Sequence, residues 1–216
     1  AMEGWESVKL AFALAEEVGA RVDLHIDETD DPVSRSIEVA CAEAIDRQMG
    51  AATVLGHCTA LHSYANPHAA KVIELIVESG ATVVANPLDN VVLQGRYDSY
   101  PRRRGITRVD ELWAAGAHVG IGHDSVMDPW YPLGQANLMD AASMLAHVAQ
   151  LTGTAQMRRV VATLWTENHR PFGGAPPLTA GAEATFLHWP DADCVEILRR
   201  RPRPRVFIAG VERLTL

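Results

Sequence analysis

The chain has 216 residues, 48% hydrophobic and 21% charged, an ordinary globular composition long enough for one domain or a large piece of one. Its formal net charge of -8 argues against nucleic acid or an anionic membrane surface as a partner, since both are polyanionic. Cys41, Cys58 and Cys194 are too few and too widely spaced for a disulfide framework or a zinc knuckle, which suits a reducing cytoplasm, and no run of about 20 apolar residues could span a membrane.

In chain order, helices alternate with short apolar strands. Trp5, Val8, Leu10, Ala11, Leu14 and Val18 carry helical spacing, and Gly19 ends that helix. Residues 22–27 read as a strand, and residues 34–47 as a helix with Ser34 as its N-cap. Residues 52–57 form the next predicted strand, and residues 67–79 a helix closed by Gly80. A third strand covers 81–86, a long loop runs to Thr107, a helix covers 108–115, and a fourth strand covers 117–124. Helices are expected over 135–151 and 157–166, and two strands of a small β appendage over 184–189 and 205–209. The arginines of 102–104 and 199–205 read as solvated loops.

Four βα units in succession imply a parallel sheet, covered on both faces where strands are as apolar as Val83-Val84-Ala85. Doubly wound sheets and barrels both satisfy this rhythm, and the count of four slightly favours an open sheet. The polar residues shift the balance. His25 with Glu28, His57, Asn86 and Asp124 all fall at the C-terminal ends of successive strands, where a barrel gathers its active site.

Each of these residues also has a plain structural reading. Glu28 can cap a loop and His25 can be satisfied by backbone; His57 can be a core histidine, with Gly56 beside it leaving room for a close approach; Trp130 can be a core or lid residue. Asp124, at the end of an apolar strand, must be paired, hydrogen-bonded or metal-bound. His123 points to the opposite side of the strand and is left out of the cluster. Taken together they suit hydrolytic deamination. A divalent cation held by His and Asp lowers the pKa of a water from 15.7 toward about 7. Glu28 shuttles the proton, and Asp124 both ligates and accepts one. His57 holds the nucleophile and steadies developing charge.

The runs His25-Ile26-Asp27-Glu28-Thr29-Asp30-Asp31, Gly56-His57-Cys58-Thr59-Ala60-Leu61-His62-Ser63-Tyr64, Ala85-Asn86-Pro87-Leu88, Leu93-Gln94-Gly95-Arg96 and Gly122-His123-Asp124, with Asp128-Pro129-Trp130-Tyr131-Pro132, closely resemble bacterial cytosine deaminases of the amidohydrolase superfamily. The resemblance runs from about residue 3 to the C-terminus. It implies an α/β fold, a (β/α)8 TIM barrel, of which this chain holds strands five to eight over residues 1–180. A C-terminal β-sandwich segment follows over 181–216. It implies one divalent metal, Fe2+ or Zn2+, with His25 and Asp124 as ligands, Glu28 as proton shuttle, His57 as the histidine that polarises water, and Trp130 on the substrate side.

Two features depart from that pattern. The nine histidines include no His-x-His pair, so the ligands the family carries on its first strand are absent from this chain. Where the family has a second acid after the metal aspartate, this chain has Ser125, which opens the substrate edge to rings other than cytosine. The expectation is therefore a deaminase of a cytosine-like base or related nitrogen heterocycle, inactive as this piece alone, cytoplasmic and homo-oligomeric. Two alternatives stand beside it: another amidohydrolase acting on a cyclic amide or triazine-like ring, and a non-catalytic half-barrel that needs a partner chain.

Overall fold

Strands β1 (Val22–Ile26), β2 (Thr53–His57), β3 (Thr82–Ala85) and β4 (His118–Ile121) pair in sequence order, each parallel to the next. The structure, a computed structural model, describes residues 2–174, 176, 178–190 and 192–213. The outer ends of the two expected segments, Ala1 and residues 214–216, lie outside the described residues. Helix α1 (Met2–Val18) leads into β1, α2 (Ser36–Asp46) joins β1 to β2, and α3 (Asn66–Ser79) joins β2 to β3. Helices α4 (Pro87–Leu93) and α5 (Val109–Ala115) lie between β3 and β4, and α6 (Leu138–Val148) and α7 (Thr154–His169) follow.

The register gives the sheet two different faces. Leu24, Leu55, Val83 and Val119 stand in one row across the four strands, and the last three are wholly buried. They join Phe12, Ile37, Ile76 and Leu112 in one hydrophobic core beneath the helices. Full burial of such side chains stabilises the fold by about 1.5–3 kcal/mol each. One residue further along every strand, the opposite row reads His25, Gly56, Val84, Gly120. That face carries the polar chemistry, and His25 on it is exposed.

The loop after β1 corrects one sequence expectation. Ser34 does not cap α2: the helix starts at Ser36, and its first N–H groups are satisfied by Asp27 from the end of β1. Asp27 Oδ1 accepts from Ser36 N (3.0 Å) and Ser34 Oγ (2.8 Å), and Oδ2 accepts from Ile37 N (2.8 Å). The Asp27 carbonyl accepts from Ala60 N (2.9 Å), so one residue ties β1, α2 and the β2 loop together. The second correction is α4, a helix inside what the sequence suggested was a long loop. Its signals were present in Pro87 at the first turn and Asp89 behind it.

The arginines of 102–104 are exposed and lie in a loop, as expected, while Arg199, Arg200 and Arg205 fall on regular elements near the C-terminus. Arg103 donates to Asp98 and Ser63, Arg104 to the Val148 carbonyl, and Arg201 pairs with Asp140 at 3.1 Å. Toward the C-terminus β5 (Phe186–His188), β6 (Arg205–Ile208) and β7 (Val211–Arg213) form an antiparallel sheet, where Phe186 stacks on Phe207. Between β5 and β6 lies an unexpected helix, α8 (Cys194–Arg200), which packs on α6 and α7. No described helix is long and apolar enough to cross a membrane.

Replacing Asp27 by Ala removes the acceptor of three donors and leaves the first turn of α2 uncapped. The expected loss is about 2 kcal/mol of folding free energy, with Asp27→Asn losing less, both measured by urea denaturation. An unchanged midpoint in Asp27→Ala would show that Asp27 does not hold the two elements together.

Candidate active site

Because all four strands run the same way, their C-terminal ends share one edge of the sheet, and the chemistry-bearing residues leave from that edge. His25 comes from within β1 and Glu28 from just beyond it; His57 is the last residue of β2; Asn86 follows β3; Asn90 lies on α4; Asp124 follows β4. Strand alternation alone would send His57 to the helix-covered side with Leu55. Its left-handed backbone, φ 65°, breaks the alternation and turns the ring toward His25. Asp124 has the same φ of 65°, a conformation that Asp and His adopt more readily than most residues but that still costs energy.

The result is a tight cluster. His57 Nε2 lies 2.9 Å from His25 Nδ1 and 3.3 Å from Asp124 Oδ2. On the other side of the ring, His57 Nδ1 lies 3.2 Å from Glu28 Oε1 and 3.0 Å from Asn90 Nδ2. The Asn90 amide also donates to Glu28 Oε1 at 3.2 Å. Asn86 Nδ2 reaches His57 Nε2 at 3.2 Å. Gly122 makes room for that amide, since a Cβ there would fall 2.1 Å from Asn86 Oδ1. His57 is fully buried, whereas the Glu28 and Asp124 side chains are 29% and 18% exposed and so face a reachable surface.

Burial and crowding move the protons in opposite directions. Burial, reinforced by the Asp124 and Asp89 carboxylates, pushes the Glu28 carboxyl up to about 7. Burial, reinforced by His25, pulls His57 down to about 4, so its ring is neutral near pH 7. Asp89 is also raised, by burial first and by its neighbour Asp124, against the pull of the Ser125 N–H.

One ligand atom from each of His25, His57 and Asp124 falls within 4.8 Å of the other two. Ligands about 2.1 Å from a tetrahedral zinc stand about 3.4 Å from one another, close to the 3.3 Å between His57 and Asp124, while the 2.9 Å between His25 and His57 is a hydrogen-bond distance. Two imidazole nitrogens and a carboxylate suit Zn2+ or Fe2+. Two more polar atoms beside this cluster, Asp89 Oδ1 and Asn90 Oδ1, are buried without a hydrogen-bond partner. The donor set of His25, His57 and Asp124 therefore fits a divalent cation.

The structure thus brings together His25, Glu28, His57 and Asp124, the expected catalytic and metal-binding residues, and places His57 nearer the other two ligand candidates than the sequence indicated. Ser125 stands at the edge of the cluster: its N–H donates to Asp89 Oδ2 at 2.8 Å, and its hydroxyl is turned to Asp128. Trp130 is 61% exposed in the following loop. Sequence reasoning missed Asp89 and Asn90, because it assigned their helix to a loop. Their spacing from Asn86, three and four residues on, would have put all three near one helical face.

Residues 2–198 match the amidohydrolase family. A pterin deaminase from Rhizobium rhizogenes is 32% identical over 149 residues, covering 67% of this chain and 34% of that protein. Among solved structures, 5-methylcytosine deaminase from Klebsiella pneumoniae bound to phosphonocytosine superimposes with a TM-score of 0.92 at 35% identity, over 98% of this chain and 52% of that one. N-isopropylammelide isopropylaminohydrolase from Burkholderia multivorans shares the fold, with a TM-score of 0.81 at 21% identity, over 97% of this chain and 51% of that one. The chain spans about half the length of these structures and about a third of the curated relative.

The Glu28 shift carries a pH signature. Its folded carboxyl ionises near 7 rather than 4.5, so its contribution to stability is complete below about 4.5 and is lost as pH rises through about 7. In the metal-free chain, Glu28→Gln should therefore gain stability relative to the parent across that interval. Urea unfolding at several pH values measures this, and a pH-independent difference would show that Glu28 titrates normally.

Proposed function

The chain belongs to the amidohydrolase family, and we propose that it supplies the acid-base side of a metal-dependent deaminase that removes an amino group from a nitrogen heterocycle as ammonia. The observation that carries this reading is the cluster in which His25, His57 and Asp124 converge while Glu28, raised to about 7, touches the same imidazole. The match to 5-methylcytosine deaminase at 35% identity and to pterin deaminase at 32% supports the reaction class. Both of those substrates carry an amino group on a pyrimidine ring, and an amino-oxo pyrimidine, free or fused to a second ring, is the substrate class we assign. The four parallel strands are half of an eight-stranded barrel, as the family match and the length of the matched structures support. The activity accordingly belongs to a polypeptide of that full length, with residues 1–180 as its catalytic part and 181–216 as an appended β segment.

His25 and Asp124 would hold a divalent cation, Zn2+ or Fe2+, with His57 beside them. When bound, such an ion makes water a competent nucleophile near neutral pH. Glu28 is placed to take a proton and pass it to the ring, because a carboxyl poised near 7 gives and takes protons with similar ease. Asn90 fixes the Glu28 carboxyl through its amide. His57 stays neutral and presents Nε2 toward the ligand atoms while Nδ1 faces Glu28 and Asn90. Trp130 and Ser125 border the substrate side, and a hydroxyl in place of a carboxylate at 125 suits rings that present either polarity.

His25→Ala and Asp124→Ala should each lower the metal content of the complete enzyme, read by elemental analysis. Full stoichiometry in both variants would remove them as ligands.

Ammonia release from cytosine, isocytosine and pterin tests the activity. We expect Glu28→Gln to keep the metal and lose about 10² to 10⁴ in kcat, since the amide keeps the shape but carries no proton. Ser125→Asp should shift the kcat/KM ratio toward cytosine. No ammonia from any amino-substituted ring would refute the deaminase reading, and near-parental kcat in Glu28→Gln would remove Glu28 from the reaction.

A further inference from the structure

Asp89 is wholly buried in the first turn of α4, yet it is a carboxyl with little to hold it. Its Oδ2 accepts one hydrogen bond, from the Ser125 N–H at 2.8 Å. Its Oδ1 has no donor among the described residues, and the Asp124 carboxyl beside it is itself an acceptor when ionised. A buried carboxyl so poorly satisfied lowers stability and calls for a compensating use.

The use is visible in what Asp89 grips. Asp124 sits three residues beyond β4, in a left-handed conformation that the loop must enforce. The residue after it is fixed at two points. Its N–H is held by Asp89 from the β3 side, and its hydroxyl by Asp128, whose Oδ1 also accepts from the N–H groups of Trp130 and Tyr131. Asp128 belongs to the same loop as Asp124 and cannot anchor it to the sheet. Asp89 can, because α4 begins where β3 ends and β3 is hydrogen-bonded to β4. The peptide between Asp124 and Ser125 is thereby clamped, and with it the direction in which the Asp124 carboxylate points.

We propose that Asp89 is a positioning residue that aims Asp124 at His25 and His57 by holding the Ser125 N–H. This rests on the metal-site reading above, and it adds a residue that meets the Asp124 carboxyl from behind and was not visible as part of the site in the sequence. Groups behind the ligands of a metal commonly contribute about 10- to 100-fold to its affinity. The acceptor, not the charge, is what the geometry uses, so the amide should replace it.

The test compares the parent with Asp89→Asn and Asp89→Ala, using Zn2+ alone as the probe. Zinc affinity is measured by competition with a chelator, and protection of the Ser125 amide by hydrogen exchange. We expect Asp89→Ala to bind zinc about tenfold or more weakly and to lose Ser125 protection, and Asp89→Asn to restore both to within about threefold of the parent. Thermal melting of each variant checks that the fold is intact; should Asp89→Ala not fold, Asp89→Asn decides alone, and tenfold weaker binding in it overturns the proposal. Equal losses in the two variants would assign the effect to charge and overturn it, as would parental zinc affinity in Asp89→Ala. A parent that binds no zinc would instead overturn the metal-site reading itself.

Discussion

Parallel pairing in sequence order is the constraint on which this structure rests. Each of β1 to β4 runs the same way, so each connection must carry the chain back beneath the sheet before the next strand begins. The helices fill that return path and bury one face, where Leu55, Val83 and Val119 stand in register. The same constraint delivers every strand's C-terminal residue to one edge. Residues far apart in the chain, such as His57 and Asp124, then meet at 3.3 Å, which no local feature of the chain could achieve.

At that edge two aspartates show how environment divides labour. Asp27 and Asp124 both follow a strand and both have a left-handed backbone, with φ of 47° and 65°. The oxygens of Asp27 are occupied by donors from the start of α2, so it acts as mortar between elements. The carboxylate of Asp124 meets a neutral imidazole and a second buried acid instead, and is left available. Stability is concentrated in the first and sacrificed at the second. The opposed shifts of Glu28 and His57 follow from the same crowding: burial disfavours whichever form is charged, raising an acid and lowering a base.

The comparisons fit this division. Similarity to 5-methylcytosine deaminase extends over 98% of this chain, so both the core-forming rows and the edge residues lie within the matched span. The fold persists at lower identity, since a structure only 21% identical retains a TM-score of 0.81. The specific reading therefore rests on the side chains at the strand ends rather than on the sheet beneath them.

The sequence by itself determined the four strands and most of the helices, and it singled out His25, Glu28, His57 and Asp124 as candidates, because short apolar runs ending in a polar residue are a local pattern. It also carried the family, through long runs such as Gly56 to Tyr64. Several things were decided only by tertiary structure. Asp27, seven and more residues away, displaced Ser34 as the partner of the α2 start, since a charged acceptor aimed at the helix N-terminus outcompetes a neighbouring hydroxyl. Helix α4 formed where a loop was expected, its Asp89 and Asn90 buried against the neighbouring strand ends. The rotation of His57 off the strand's alternation depends on a backbone angle that no composition or periodicity records. In each case the deciding contact joins residues distant in the chain, and local patterning carries no information about it.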